Sequence, residues 1–172
     1  MSSITFEFNK TKATESILYL SQRISESDKY GICKLLYLAD KCSLEKYGRF
    51  IFGESYVAME QGVTPSNAYD LLKNAKDEPI DGIKVEGNQV IPLREPNLDC
   101  LSESDIKCLD EIITKFGNES NLTRRRAAHD DAWQKNWDKR GGSGSVPIPV
   151  ENIAELFPDS ADLISYLSNS DE

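Results

Sequence analysis

The chain has 172 residues, of which 39% are apolar and 28% are charged, and its formal net charge is −9. A single domain of this length buries enough surface to fold without disulfides or a metal. The acidic excess argues against nonspecific binding of DNA or RNA, because neutralising phosphates requires an excess of Lys and Arg. A basic protein partner, or solubility alone, accounts for such a charge.

Hydrophobic periodicity predicts two helices in the first part of the chain. Residues 4–8 alternate apolar and polar, which suits either a short edge strand or an ordered lead-in. Apolar residues at helical spacing predict an amphipathic helix over about 10–25. The next helix begins after the N-cap residues Ser27 and Asp28 and ends near Gly48. Because most of its circumference is apolar, we expect this second helix to run through the core.

The middle of the chain predicts short strands and a third helix. Residues from about 50 to 60 contain two runs of β-forming residues separated by Gly53. This pattern predicts short strands joined by a turn. Ser66 begins a third helix with apolar residues on one face. Alternating β-formers over about 83–92 surround a Glu-Gly-Asn turn, which is typical of a β-hairpin.

The remaining elements are mostly helical. Residues 102–105 resemble a capping box, and the helix that follows them ends at Gly117. Another helix is predicted over 120–138, followed by a flexible Gly/Ser-rich loop at 141–145 and C-terminal helices over 149–168. Helices thus cover more than half of the chain, and the strands are few and short. The predicted class is α+β, mainly α, with a helical core, in one domain over the whole chain.

The four cysteines argue against a metal site. They include no C-x-x-C pair, and the chain has a single histidine, whereas zinc sites combine closely spaced Cys pairs with His. We therefore predict reduced thiols, no metal and no cofactor. The N-terminus lacks the pattern of a secretory signal, and no run approaches the roughly 20 apolar residues of a membrane span. These features predict a cytoplasmic protein with no membrane association.

The single histidine, His129, precedes Trp133 and Trp137 by one and two helical turns, so one face of the predicted helix carries all three rings. A Cys–His pair makes a nucleophile, but no Cys lies near His129 in the sequence. We favour a packed or binding face over catalysis and predict that the protein is not an enzyme. A small hydrolase-like enzyme using His129 with an acid is the alternative.

Two sets of charged residues have both a structural and a functional interpretation. Asp40 lies on the apolar second helix, where an ionised group must be paired or must reach the surface. We favour an ion pair with Arg49 or Lys34 over an active-site acid. Residues 124–126 are consecutive arginines and form the only basic cluster of the chain. We interpret them as a solvated face or as ion-pair partners, and not as a nucleic-acid site.

Several separated runs together match the pattern of a known domain family. These runs are Lys-Leu-Leu-Tyr-Leu-Ala-Asp from Lys34, Tyr-Gly-Arg from Tyr47, Tyr-Val-Ala-Met from Tyr56, Pro-Ser from Pro65 and His-Asp-Asp-Ala-Trp from His129. With these runs the sequence resembles the Panacea domain, also called the SocA-like antitoxin domain, over about 12–138. The chain departs from the pattern at Ser43, where the family commonly has a histidine, and this removes one candidate functional histidine.

The resemblance implies an antitoxin of a bacterial or phage toxin–antitoxin pair, which neutralises its cognate protein toxin by direct contact. The alternative that it implies is an adaptor that delivers the toxin to a protease. We place the partner site between the second helix and residues 49–66. The predicted partner-binding residues are Tyr37, Asp40, Tyr47, Arg49, Tyr56, Met59, His129 and Trp133.

Overall fold

A computed structural model describes residues 3–169, and this part of the chain is built mainly from helices. The helices are α1 (Lys10–Ser21), α2 (Lys29–Tyr47), α3 (Ser66–Asn74), α4 (Glu103–Phe116), α5 (Asn121–Ala128), α6 (Asp131–Trp137), α7 (Val150–Ala154) and α8 (Ser160–Asn169). The strands are β1 (Tyr56–Met59), β2 (Gly62–Pro65), β3 (Ile83–Glu86), β4 (Gln89–Pro92) and β5 (Ser145–Pro147). The predicted class, α+β and mainly α, is confirmed. None of the described helices is long and apolar enough to cross a membrane.

Helix α2 is the centre of the fold. It begins where the side chain of Asp28 accepts a hydrogen bond from the N–H of Gly31 at 2.9 Å. It ends at Gly48, whose left-handed backbone with φ of 71° closes the last turn. Every residue over 31–40 is buried, and α2 packs against α1, α4, α5 and β2. The expectation of a core helix is therefore confirmed.

The strands form two separate antiparallel sheets. One has the order β2-β1-β5, and its β1–β2 hairpin turns between Met59 and Gly62. The other is the β3–β4 hairpin over 83–92, which the sequence predicted. The prediction of strands at about 50–60 is correct for β1 only. Residues 50–52 are a buried loop, because the N–H of Ile51 is bound by the Asp40 carboxylate and the carbonyl of Phe52 by the N–H of Asn9.

Two further predictions differ from the structure in detail, and one open alternative is decided. The helix predicted over 120–138 is broken at His129 and Asp130. The side chain of Asp130 accepts the N–H of Trp133 and acts as the N-cap of α6. The loop predicted at 141–145 contributes Ser145 to β5, which pairs with β1. Residues 4–8 form no strand, so the lead-in is the alternative that the structure supports.

Candidate protein-binding site

A cleft opens between the first half of α2, the β1–β2 turn and α5. Its main pocket has a volume of about 530 Å³. A second pocket of about 290 Å³ shares Tyr30, Lys34 and Gln61 with the first and extends the cleft toward α3. We call this feature the hairpin cleft and define it by Tyr30, Lys34, Gln61, Leu122 and Arg125.

The rim of the hairpin cleft carries exposed apolar side chains. Tyr30 is 44% exposed and Leu122 is 52% exposed, although both lie in helices that bury their other faces. Tyr69 of α3 lines the second pocket, and its ring centroid lies 6.4 Å from that of Tyr30. Aromatic side chains beside a concave surface are typical of protein interfaces, because they bury a large area and keep a polar end.

Lys34 forms the floor that the two pockets share. Its side chain is buried, with 5% of the residue exposed, and its ammonium group donates to the carbonyl of Val63 at 2.8 Å. No carboxylate among residues 3–169 forms a salt bridge with it. Burial lowers the pKa of Lys34, and the nearby charge of Arg125 lowers it further, against the opposing effect of Cys33.

His129 packs directly under the β1–β2 turn. A Cβ added to Gly62 would lie 3.2 Å from Cδ2 of His129 and 3.3 Å from Cε of Lys34, so only a glycine allows the strand to come this close. The Nε2 atom of His129 is buried and has no hydrogen-bond partner within the described chain. Burial lowers the pKa of His129, and the charges of Arg125 and Lys34 act in the same direction.

The rings of α6 support the hairpin from behind. His129 stacks on Trp133 with centroids 3.9 Å apart, and Trp133 stacks on Trp137 at 6.0 Å. The indole N–H of Trp133 donates to the carbonyl of Met59 at 2.8 Å and so fixes the end of β1. The packed face that the sequence predicted therefore exists, although His129 is the cap of α5 and not a residue of α6.

Asp130 joins α2 to the start of α6. Its carboxylate accepts a hydrogen bond from the hydroxyl of Tyr37 at 2.5 Å and forms a salt bridge with Lys41 at 3.1 Å. The same carboxylate accepts the N–H of Trp133 at 3.1 Å and caps α6. Tyr37 and Tyr56 of β1 are both buried, with ring centroids 5.1 Å apart, so the start of the hairpin packs on α2 through these two rings.

Asp40 has no cationic partner among the described residues, and the expected ion pair with Arg49 or Lys34 is wrong. Its carboxyl group accepts the N–H of Ile51 at 2.6 Å and the hydroxyl of Tyr56 at 2.7 Å. Burial raises the pKa of Asp40 to about 8, although these hydrogen bonds oppose the shift. Arg49 instead pairs with Asp105, and Lys34 donates to the carbonyl of Val63.

The far end of α2 carries a different cluster. Arg49 binds the buried carboxylate of Asp105 at 3.0 Å and the hydroxyl of Ser104 at 2.8 Å. Tyr47 is 42% exposed at this end. It is 17 residues from Tyr30 on the same helix, which corresponds to about 25 Å along the axis.

Comparison with models of protein families decides the classification. Residues 32–134, which are more than half of the chain, match the family described as "Antitoxin SocA-like, Panacea domain". The chain belongs to this family. The match spans the β1–β2 hairpin, α5 and most of α6, and therefore contains Lys34, Leu122 and Arg125 of the hairpin cleft. No curated protein and no solved structure matches the chain significantly.

The eight residues predicted to bind the partner of this Panacea domain lie in three places. Met59 lines the hairpin cleft, and His129 and Trp133 support it. The three residues Tyr37, Asp40 and Tyr56 are buried beneath the hairpin, where they position backbone and other side chains. The remaining two, Tyr47 and Arg49, lie at the far end of α2. Their role in binding stays a prediction.

The three consecutive arginines of the Panacea domain have three different environments. Arg124 is fully buried and donates to the carbonyls of four residues, so the prediction of a solvated face or ion pairs is wrong for it. Arg125 lines the hairpin cleft, and Arg126 is exposed. The sequence interpretation treated them as one cluster and missed Tyr30, Leu122 and Arg125, although apolar residues on solvent-facing helix positions are a readable signal.

Proposed function

We propose that this Panacea domain is an antitoxin that neutralises a cognate toxin by binding it at the hairpin cleft. The observation that carries the proposal is an exposed apolar rim, formed by Tyr30 and Leu122, around a concave surface within a SocA-like antitoxin domain. A stable toxin complex needs about 1,000 Å² or more of buried surface, so the cleft is the centre of a larger contact.

The energetics favour the rim residues as anchors of the complex. Burying an exposed Leu or Tyr side chain contributes about 1.5–3 kcal/mol, and such anchors at the centre of an interface dominate affinity. Met59 lies beside them and adds an adaptable contact. In this proposal Tyr37, Asp40, Tyr56, His129 and Trp133 act by holding the hairpin in place, and Tyr47 and Arg49 contact the toxin only if the interface extends along α2.

The environment of His129 supports binding over hydrolysis. Its ring is sandwiched between Trp133 and the backbone of Gly62, and its Nε2 atom is buried. A general base must reach the proton that it abstracts, whereas this nitrogen is covered by the hairpin. Burial lowers the pKa of His129, which favours the neutral ring.

The test is co-expression with the protein encoded by the adjacent gene, followed by measurement of the dissociation constant of the purified pair. We expect Tyr30→Ala and Leu122→Ala each to weaken binding by at least about tenfold. Tyr47→Ala and Leu93→Ala are the matched controls, because these side chains are 42% and 53% exposed and lie outside the cleft. Each control is expected to stay within about threefold of the wild type.

Absence of a complex between the two wild-type proteins would contradict the proposal. A larger loss for Tyr47→Ala than for Tyr30→Ala would move the site to the far end of α2. The amount of toxin in cells separates blocking from delivery to a protease. Deletion of the antitoxin leaves the toxin level unchanged if the protein simply blocks, whereas the level rises if the protein is an adaptor.

A further inference from the structure

The hairpin cleft concentrates positive charge that the protein itself leaves unpaired. Lys34 and Arg125 both line its main pocket, and Lys29 lies over the rings of Tyr30 and Tyr69 at 5.2 and 5.8 Å. None of these three cations forms a salt bridge with a carboxylate within residues 3–169. The chain as a whole carries a net charge of −9, so carboxylates are abundant.

Lys34 is buried, so its charge is costly to the free protein. A buried ammonium group is costly unless it is paired or fully hydrogen-bonded, and Lys34 has one hydrogen bond, to the carbonyl of Val63, for its three donors. Arg125 stands nearby and lowers the pKa of Lys34, so the two charges oppose each other in the free protein. An anion that contacts both cations offsets this repulsion and accepts hydrogen bonds from the ammonium group.

The carboxylates on the walls of the cleft do not supply this anion. Asp28 lines the main pocket, but its side chain caps α2 through the N–H of Gly31. Glu60 lines the second pocket and is exposed on the β1–β2 turn.

We infer that the toxin inserts an internal aspartate or glutamate side chain into the hairpin cleft, where it binds Lys34 and Arg125, and that apolar residues flank it in the toxin sequence. This inference rests on the proposed function, because the occupant is a segment of the toxin. The two pockets meet at Lys34, so an extended segment that crosses both places its carboxylate in the middle and its apolar neighbours on Leu122 at one side and Tyr69 at the other.

Charge reversal at neighbouring positions of α5 tests the inference. Arg125→Glu places an acid in the cleft, whereas Arg126→Glu places the same charge on the exposed adjacent position. Both variants change the net charge equally, so long-range electrostatics are matched. We expect Arg125→Glu to weaken binding of the adjacent-gene toxin by at least about thirtyfold and Arg126→Glu by less than about threefold.

A second variant and a reciprocal exchange identify the occupant. Lys34→Met keeps the buried stem and removes the charge, and we expect at least about tenfold weaker binding together with a shallower dependence of affinity on salt. Replacing the toxin's Asp and Glu residues by Lys one at a time should give one variant that recovers binding to Arg125→Glu.

The results separate the inference from the function on which it rests. Equal affinities of Arg125→Glu and Arg126→Glu for a toxin that binds the wild type would overturn the anionic occupant and leave direct neutralisation intact. Recovery by a change at the toxin's C-terminal carboxylate would overturn an internal side chain as the source. Failure of the wild type to bind the toxin would instead remove the proposed function itself.

Discussion

The charged side chains in the two halves of α2 differ in whether they form salt bridges. In the second half of the helix and just beyond it, Lys41 meets Asp130, Lys46 meets Glu111 and Arg49 meets Asp105. In the first half, Lys29 and Lys34 lie beside the hairpin cleft and meet no carboxylate in the described chain. The contrast separates charges that are paired within the fold from charges that no carboxylate of residues 3–169 balances.

The same contrast applies to the aromatic residues of α2. Tyr37 is buried at the middle of the helix, and its hydroxyl is bound by Asp130. Tyr30 is exposed at the beginning, where its ring lies near that of Tyr69 and near the ammonium group of Lys29. The family motif therefore includes buried residues that position the β1–β2 hairpin.

The largest expected effect is at the paired end. Asp105→Ala removes a fully buried carboxylate that binds Lys12 and Arg49 and closes the capping box of α4 with Ser102. We expect a loss of about 3–5 kcal/mol in the free energy of unfolding, measured by urea denaturation, because two cations lose their partner. Glu103→Ala, on the exposed first turn of the same helix, should cost less than about 1 kcal/mol.

Asp40 should give the stability of the protein a distinctive dependence on pH. Its folded-state pKa of about 8 lies above the usual value of 3.8 for an aspartate, so the folded state keeps a proton that the unfolded state loses as the pH rises. As the pH rises from about 4 to about 8, this group therefore lowers the free energy of unfolding, by at most about 1.4 kcal/mol per pH unit. In Asp40→Asn this contribution should vanish.

The measurement for Asp40 is the difference between the unfolding free energies of wild type and Asp40→Asn at several pH values. Groups shared by the two proteins cancel in this difference. A difference that does not change between pH 5 and pH 8 would show that Asp40 is ionised in the folded protein.

A smaller effect is expected where α6 holds the hairpin. Trp133→Phe keeps a ring against His129 but removes the N–H that binds the carbonyl of Met59. We expect about 1–2 kcal/mol of destabilisation and faster hydrogen exchange in β1. Trp137→Phe is the control, since the described contacts of Trp137 are ring contacts and an acceptor role for its backbone. It should cost less than about 1 kcal/mol.

The smallest effect on stability is expected at the unpaired end. Lys34→Met should change the free energy of unfolding by less than about 1 kcal/mol, because the lost hydrogen bond to Val63 is offset by removal of a buried charge. The contrast with Asp105→Ala sharpens the comparison. A loss as large as that of Asp105→Ala would mean that Lys34 serves the fold and not a partner.

Local chemistry allowed the sequence to predict much of the fold. The caps of α2, the capping box at Ser102 and the turn at Gly87 each satisfy backbone groups within a few residues, so their patterns are visible in the sequence. The strand predicted at 50–52 failed because its backbone groups are bound by distant residues. The break at Asp130 was not predicted, because the helical spacing of His129 and the two tryptophans favoured one continuous helix over an N-cap at Asp130.

The candidate site was less predictable, because it depends on residues that meet only in the folded protein. Lys34, Gly62 and Arg125 are far apart in sequence, and their convergence follows from packing of α2, β2 and α5. Resemblance to the family pointed to Met59, which lines the hairpin cleft, and to Trp133, which binds the carbonyl of Met59. It did not distinguish positioning residues from exposed ones, since motif position carries no information on exposure.

The order of the larger sheet limits main-chain pairing with an added strand. Strand β1 is paired on both sides, by β2 and by β5, and every residue of β2 is buried. The free edge is that of β5, a three-residue strand that ends in Pro147, which has no N–H to donate. An added strand therefore finds few free main-chain donors on this sheet, so any partner that contacts the sheet is recognised through side chains.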